Sequence, residues 1–353
     1  MADARTVRDV GEFGLIAELV SALPPEARAA PGVDLGIGDD AAVWTPVPGE
    51  RVVVTTDSLV EGIHFRLDWT DWERLGRKTL AVNVSDIAAM GAIPRIAVVT
   101  LALRGDERAA DLRALYRGLG SLAAENGMVV AGGDIVRSPD VLALHVTALG
   151  ETVGGRVLTR SGARPGDSIG VSGTLGASAA GLGILLAGED DPRRRATTSE
   201  LLIDAHLNPA PRVALGRVLL QCGASAAMDL SDGLLGDLPK ILAASGVSAR
   251  LDAAAIPVAA AVRALFPNAW FDLATRGGED YELLFTASPK AWDRIAEEAA
   301  RLGATVTAIG EIRASGDVPS LAILGHDGEE RSIGTGAFDH FGSVRGAPGA
   351  ETS

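Results

Sequence analysis

Acidic residues recur beside glycines and short apolar runs in this sequence. Asp57 follows the β-branched run VVVTT, Asp86 lies in NVSDIAAMG, and Asp134 follows two glycines in AGGDIV. Ligand-binding groups of α/β proteins often lie at such strand ends, because Gly-rich turns bring the backbone close to a ligand. Mg²⁺ prefers oxygen ligands, and it also relieves the repulsion between neighbouring carboxylates. The pattern favours a magnesium site. Similar settings hold Asp39, Asp229, Asp232, Glu279 and Asp280.

Several of these residues also have an ordinary structural explanation. Asp232, in DLSDG, is as typical of a helix N-cap as of a metal ligand. Asp39 and Asp40 follow Gly-Ile-Gly and fit a simple turn equally well. Asp86 has apolar neighbours, so its carboxylate needs a partner, and a nearby Arg or Lys would serve. His64, in EGIHF, is as consistent with a turn as with a substrate contact. Taken together, the acidic residues favour a metal-binding site over separate structural roles.

Composition and missing motifs exclude several classes of function. Asp and Glu number 46 against 32 Lys and Arg, a formal net charge of −14. This balance argues against nucleic-acid and anionic membrane partners, because both need clustered positive charge. The single cysteine, Cys222, excludes a disulfide or a thiolate metal cluster within the chain. The sequence contains neither a P-loop nor the HRD and DFG motifs of protein kinases. It also lacks an apolar signal core and an uncharged apolar run of about 18 residues, so we expect a cytoplasmic protein.

Strands and helices alternate along the chain, which predicts an α/β fold with two domains. A loop is expected at Gly132-Gly133-Asp134, and a strand is expected to end at Asp229. A helix is expected after the segment SDGL. Because proline disrupts a helix interior, Pro239 suggests that this helix begins near Asp237 or is bent. The predicted domains are 1–153 and 154–341, and a Gly/Pro-rich tail at 342–353 is expected to be disordered. In the first domain, strands are predicted at 51–56, 96–103, 128–131 and 141–149, and helices at 71–90 and 106–126.

Seven segments, in order, are similar to motifs of the thiamine-monophosphate kinase family. Their order and spacing are far more specific than any one motif, and the resemblance covers about residues 11–341. It implies a fold similar to aminoimidazole ribonucleotide synthetase, with the N-terminal sheets pairing in a homodimer. It also implies phosphoryl transfer from ATP to thiamine monophosphate, giving thiamine diphosphate, with several Mg²⁺ ions. The segments are GIGDDAAV (36–43), TTDSLVEGIHF (55–65), NVSDIAAMGAIPR (83–95), GGDIVRS (132–138), LTRSGARPGD (158–167), DLSDGLLGDL (229–238) and GGEDYELLF (277–285).

The resemblance implies a role for each matching residue. Positions of the magnesium site are Asp39, Thr55, Thr56, Asp57, Asp86, Asp134, Asp229 and Asp232. Nucleotide contacts are Tyr116, Gly133, Asp134, Arg160 and Ser231, and substrate contacts are His64, Glu279 and Phe338. The catalytic roles fall to Asp57 and Asp86, which would hold central ions, and to Arg160, which would assist the nucleotide. Phe338 replaces the Trp of many relatives, so stacking on the substrate would involve a smaller ring.

Two other functions stay open at this level. One is a purine-pathway ligase of the same superfamily, against which the segments EGIHF and GGEDYELL argue. The other is a non-catalytic module that binds a nucleotide or a metal. The intact set of acids argues against such a module, because metal sites are lost readily once catalysis is not needed.

Overall fold

The computed structural model describes residues 4–325 and 328–332, which form two compact units. The first unit contains the described residues up to Ala88 together with Ala92–Arg156. The second contains Ala89–Gly91 and the described residues from Val157 onward. In the described part of the chain, no helix has the length and apolar character needed to cross a membrane. Phe338 and the predicted tail at 342–353 lie outside the described residues.

The first unit consists of helices and a main sheet that contains both parallel and antiparallel strand pairs. Its helices are α1 (Val7–Val10), α2 (Glu12–Ala22), α3 (Trp72–Ala89) and α4 (Ala109–Glu125). Its strands are β1 (Val33–Leu35), β2 (Val43–Trp44), β3 (Val52–Val60), β4 (Ile93–Leu103), β5 (Val129–Arg137) and β6 (Ala143–Glu151). The main sheet has the order β3-β6-β4-β5, in which β4 and β5 are parallel and the other pairs are antiparallel. The predicted α/β class is confirmed.

Helices α3 and α4 approach each other unusually closely, and two glycines make this possible. A Cβ atom on Gly76 of α3 would lie 1.9 Å from the carbonyl oxygen of Leu115 in α4. A Cβ on Gly118 of α4 would lie 1.8 Å from the carbonyl oxygen of Glu73 in α3. Any larger side chain at either position would separate the helices. Backbone contact therefore fixes the position of α3, which carries Asp86.

One face of the four-stranded sheet remains largely uncovered in this unit. Its residues include Val54 of β3, which is 60% exposed, and Val136 of β5, which is 41% exposed. Strand register aligns a polar row across this face, formed by Ser58, His145, Thr100 and Asp134. At one end of the sheet, the cluster of Ile96, Val129 and Ala131 is covered by Ala30, Val33 and Trp44.

The second unit is built around a seven-stranded sheet of order β13-β12-β9-β11-β7-β10-β8. Its strands are β7 (Ser168–Ser172), β8 (Ala226–Asp229), β9 (Val247–Asp252), β10 (Leu283–Ala287), β11 (Val306–Ala314), β12 (Leu321–Leu324) and β13 (Glu330–Ser332). Its helices are α5 (Ala177–Ala187), α6 (Ser199–Leu207), α7 (Val213–Cys222), α8 (Leu234–Ser245), α9 (Ala260–Leu265), α10 (Trp270–Arg276) and α11 (Pro289–Arg301). Leu234, Leu238 and Ile241 of α8 join Val171 and Leu284 of the sheet in the core.

Three local predictions are wrong. Gly132, Gly133 and Asp134 lie within β5 and not in a loop, because Gly133 lets β5 pair tightly with β4. Asp57 does not end its strand, since β3 continues to Val60. Helix α8 begins at Leu234, so the predicted start near Asp237 is wrong; Pro239 lies inside the helix and removes one backbone donor, and the alternative of a bent helix stays a prediction.

Candidate active site

Strand β3 presents Thr55 and Asp57 toward helix α3. Burial alternates along β3, so residues 53, 55, 57 and 59 share the less exposed face. The hydroxyl of Thr55 donates a hydrogen bond of 2.5 Å to Oδ2 of Asp86, which is partly buried on α3. Among the residues that the structure describes, the partner of Asp86 is therefore a hydroxyl group and not the Arg or Lys considered as an alternative. Through this bond, two positions of the predicted magnesium site are in direct contact.

Asp57 and Asp86 form an unfavourable pair of carboxylates. Asp57 is half-buried, and its removal from water raises its pKa to about 6. The negative charge of Asp86 is the second, smaller cause of this same shift. A cation between or beside the two groups would remove this repulsion. The pair can thus hold a hard cation, or one proton, better than it can hold two negative charges.

Other predicted residues of the first unit face the opposite side of the sheet. Thr56 donates to the carbonyl oxygen of Val146 at 3.0 Å, and its hydroxyl lies 3.1 Å from that of Thr147. Asp134 is exposed on β5, opposite Thr100 of β4. Because side chains alternate along a strand, Thr56 and Asp134 lie on the face opposite to Asp57. The acids of this unit therefore form two groups, which the sequence did not indicate.

Four further predicted residues have clear structural surroundings. Asp39 is exposed in a turn, where its Oδ1 accepts from the backbone N–H of Asp40 at 2.8 Å. Nδ1 of His64 accepts from the N–H of Val60 at 3.1 Å. Tyr116 is buried on α4, and burial raises the pKa of its hydroxyl. A Cβ atom on Gly133 would lie 2.0 Å from the carbonyl oxygen of Val99 in β4. These contacts are compatible with the predicted binding roles.

In the second unit, Asp229 is the last residue of β8, as predicted, and Ser231 and Asp232 lie in the turn between β8 and α8. The N-cap of α8 is Gly233, so the interpretation of Asp232 as the capping residue is wrong. Asp232 instead pairs with Lys240, whose Nζ lies 2.6 Å from its Oδ2. Arg160 is exposed, and its carbonyl oxygen accepts from the Ser245 hydroxyl at 3.2 Å.

A buried carboxylate holds this turn in place. Asp237 is fully buried, and its Oδ2 accepts from the backbone N–H groups of Ser231 and Asp232 at 3.0 and 2.9 Å. Burial raises the pKa of Asp237, while the ammonium of Lys240 at 2.8 Å opposes that shift. Sequence reasoning assigned no function to Asp237 or Lys240. Their spacing of three residues on one helix was the signal that an ion pair could form there.

The turn at 229–233 packs against the segment 277–282, and we call the two together the double loop. The N–H of Glu279 donates to the carbonyl of Ser231 at 2.8 Å, and that of Tyr281 donates to the carbonyl of Leu230 at 2.9 Å. In return, the N–H of Leu230 donates to the carbonyl of Glu282 at 2.8 Å. A Cβ on Gly278 would lie 2.4 Å from the Ser231 oxygen. Backbone contacts thus bring together residues that are predicted to bind the nucleotide, the metal and the substrate.

Asp280 attaches the double loop to the first turn of α5. Its two carboxylate oxygens accept from the backbone N–H groups of Gly176 at 2.7 Å and Ser178 at 3.2 Å. Removal from water raises the pKa of Asp280 to about 7, although these donors favour its charged form. Glu279 and Tyr281, on either side, have left-handed backbone conformations with φ of 64° and 50°. Such values are costly for residues other than glycine, and they are often found at functional sites.

The donors available for a cation are oxygen atoms. Among residues 4–325 and 328–332, no three His, Cys, Asp or Glu side chains lie close enough together to hold a metal ion. Thr55, Asp57 and Asp86 are brought together by the Thr55–Asp86 hydrogen bond and by the repulsion between the two carboxylates. Phe338, the predicted stacking residue, lies outside the described residues.

Known proteins match this chain over nearly its whole length. Models of the N- and C-terminal domains of AIR synthase related proteins match residues 38–152 and 164–320. Thiamine-monophosphate kinase of Bacillus subtilis (strain 168) is 37% identical over 324 residues, covering 92% of this chain and 98% of the relative. The crystal structure of thiamine-monophosphate kinase from Stenotrophomonas maltophilia K279a is 40% identical, with a TM-score of 0.78, covering 91% of this chain and 98% of that one. AaThiL complexed with AMPPCP and TMP is 31% identical, with a TM-score of 0.73, covering 95% of this chain and 98% of that one. This chain belongs to the thiamine-monophosphate kinase family.

Proposed function

We propose that this chain transfers a phosphoryl group from ATP to thiamine monophosphate, giving ADP and thiamine diphosphate. The observation that carries the proposal is family membership across nearly the whole chain, with the predicted acids present. A related protein, AaThiL, forms a complex with AMPPCP, an ATP analogue, and with TMP. The pairing of Asp57 with Asp86 adds support, because two neighbouring carboxylates suit a reaction that depends on a cation.

The residues of the first unit fit a magnesium ion by the chemistry of their donors. Asp57 and Asp86 provide carboxylates, and Thr55 provides a hydroxyl group. All are hard oxygen donors, which Mg²⁺ prefers, and the raised pKa of Asp57 indicates a need for positive charge. Bound Mg²⁺ would neutralise phosphate oxygens and reduce the repulsion between donor and acceptor. Other residues proposed for this role are Asp39, Thr56, Asp134, Asp229 and Asp232.

The proposed acceptor needs no general base, because its phosphate oxygen is already ionised near neutral pH. His64 would be the candidate base, but its Nδ1 already accepts from the backbone N–H of Val60. A phosphate acceptor therefore suits this arrangement better than an alcohol would. The proposed substrate residues are His64, Glu279 and Phe338, and the proposed nucleotide residues are Tyr116, Gly133, Asp134, Arg160 and Ser231.

A homodimer is proposed through the uncovered face of the first unit's sheet. Val54 is 60% exposed there, beside the polar row that ends at Asp134. Exposed valines on a regular sheet are typical of a contact surface. Light scattering should give about twice the chain mass of 36.2 kDa. Val54→Asp should shift the protein toward monomer, whereas Val318→Asp, at another exposed valine, should not. A monomeric wild-type protein at micromolar concentration would refute the dimer. The expected cytoplasmic location stays a prediction.

Mass spectrometry of the products tests the proposed reaction directly. Incubation with ATP, Mg²⁺ and thiamine monophosphate should yield ADP and thiamine diphosphate in equal amounts. Formylglycinamidine ribonucleotide, the substrate type of the purine-pathway ligase, should give no ADP. The opposite result would favour the ligase. If no ADP forms with either substrate, the result would point to a non-catalytic module.

A further inference from the structure

A buried histidine lies against Glu279 in the second unit. His206, on α6, has a side chain that is only 3% exposed. Its Nδ1 lies 3.2 Å from Oε2 of Glu279 and 3.1 Å from the hydroxyl oxygen of Ser178. Burying an imidazole removes both ring nitrogens from water, which is costly unless polar partners replace it. The polar contacts of His206 are therefore part of the local architecture.

The backbone of Glu279 is fixed before its side chain is considered. Its N–H is bonded to Ser231, and the next residue, Asp280, is bonded to the first turn of α5. These bonds hold the left-handed conformation of Glu279, with φ of 64°. The direction of its Cα–Cβ bond is thereby determined. The three side-chain torsions then determine where its carboxylate lies, and contacts of the carboxylate select among them.

His206 restricts that remaining freedom. Facing an ionised carboxylate, Nδ1 must carry the hydrogen, because its lone pair would repel Oε2. The Nδ1–H group then lies beside two oxygens, Oε2 of Glu279 at 3.2 Å and the Ser178 hydroxyl oxygen at 3.1 Å, and its positive charge density attracts the carboxylate. Ser178 contributes at two points, since its N–H donates to Asp280 and its hydroxyl lies beside Nδ1 of His206. The first turn of α5 consequently fixes both the loop and the imidazole.

We infer that His206 is a positioning residue, which holds the carboxylate of Glu279 in one orientation for a cationic substrate. The inference rests on the proposed function, because Glu279 is assigned to thiamine monophosphate there. His206 itself does not contact the substrate in this scheme. It should therefore affect binding of thiamine monophosphate and leave the use of ATP unchanged.

Two substitutions at His206 separate the donor from the volume it fills. His206→Leu introduces an apolar side chain of similar size and removes the donor. His206→Asn can place an amide N–H near the position of Nδ1. For His206→Leu we expect KM for thiamine monophosphate to rise about tenfold, the effect typical of one lost hydrogen bond to a charged group. KM for ATP and kcat should stay within about twofold, and His206→Asn should recover most of the lost affinity.

A control on the same helix accounts for general destabilisation. Ile203 is buried on α6, and Ile203→Ala should lower the Tm without changing KM for thiamine monophosphate. The double variant His206→Leu/Glu279→Gln tests whether His206 acts through Glu279. If His206 acts through Glu279, His206→Leu should add less than about twofold to the effect of Glu279→Gln.

The outcomes distinguish this inference from the proposed function. Turnover by the wild type with an unchanged KM in His206→Leu overturns the positioning role alone. Equal rises in KM for both substrates, or additive effects in the double variant, also overturn it. A wild-type chain that does not phosphorylate thiamine monophosphate overturns the proposed function and this inference with it.

Discussion

Replacing Asp57 with Asn should stabilise the ligand-free protein. The reason is the difference between the pKa of about 6 in the folded chain and the reference value of 3.8. At 1.36 kcal/mol per pH unit, this difference corresponds to about 3 kcal/mol at neutral pH. Because Asp57 retains some contact with water, we expect a gain of about 1–3 kcal/mol in the free energy of unfolding for Asp57→Asn.

The gain should depend on pH in a defined direction. Asp57 binds its proton more tightly in the folded than in the unfolded chain, since its folded pKa is the higher one. The stability that this group contributes is therefore complete below pH 3.8 and is lost as pH rises through about 6. The free energy of unfolding of Asp57→Asn should accordingly exceed that of the wild type most at pH 8. At pH 4 the difference should be less than about 1 kcal/mol.

Urea unfolding in excess chelator at several pH values measures this effect without bound cations. Asp40→Asn serves as the control, because Asp40 is an exposed carboxylate in the same unit. The control should show no gain at pH 8. The same Asp57→Asn protein should lose nearly all kinase activity, so stability and turnover move in opposite directions. An Asp57→Asn protein that is less stable than wild type at pH 8 would refute the electrostatic reasoning.

Four further predictions address the metal, the acceptor and the helix contact. Excess chelator should abolish thiamine diphosphate formation and added Mg²⁺ should restore it, whereas activity without divalent ions would contradict the metal assignment. Asp86→Asn should lower turnover by about two orders of magnitude or more with the fold retained, and near-normal turnover would make Asp86 structural. Free thiamine should be a very poor substrate at saturating ATP, because its alcohol would need a base; equal efficiency with both acceptors would refute the mechanism. Gly118→Ala should cost at least about 2 kcal/mol in urea unfolding despite the better helix propensity of alanine, while Gly316→Ala, which meets no atom within 4 Å, should be neutral.

The sequence predicted elements well where a periodic pattern was strong. Helix α4 was expected at 106–126 and spans Ala109–Glu125, because apolar residues recur at three- and four-residue intervals. The strand at 128–131 was predicted too short. Two glycines there suggested a loop, yet Gly133 serves a close contact between strands. Glycine permits both, and only the partner strand decides between them.

Partners distant in the sequence limited the prediction of the site. The acids of the motifs were identifiable, but the contact of His206 with Glu279 was not. His206 and Glu279 are brought together by α6 and the double loop. Similarly, strand register separates Asp134 from Asp57 across the sheet, and register depends on pairings that no local pattern contains.

The double loop has a consequence for amide hydrogen exchange. The amide hydrogens of Leu230, Glu279 and Tyr281 each reach across to the other segment. None of them can be exposed to solvent unless the two segments separate, so all three should exchange at a common opening free energy. A ligand that contacts one segment alone should then slow exchange in the other by the same factor. Segments nearly 50 residues apart in the chain would respond as one cooperative unit.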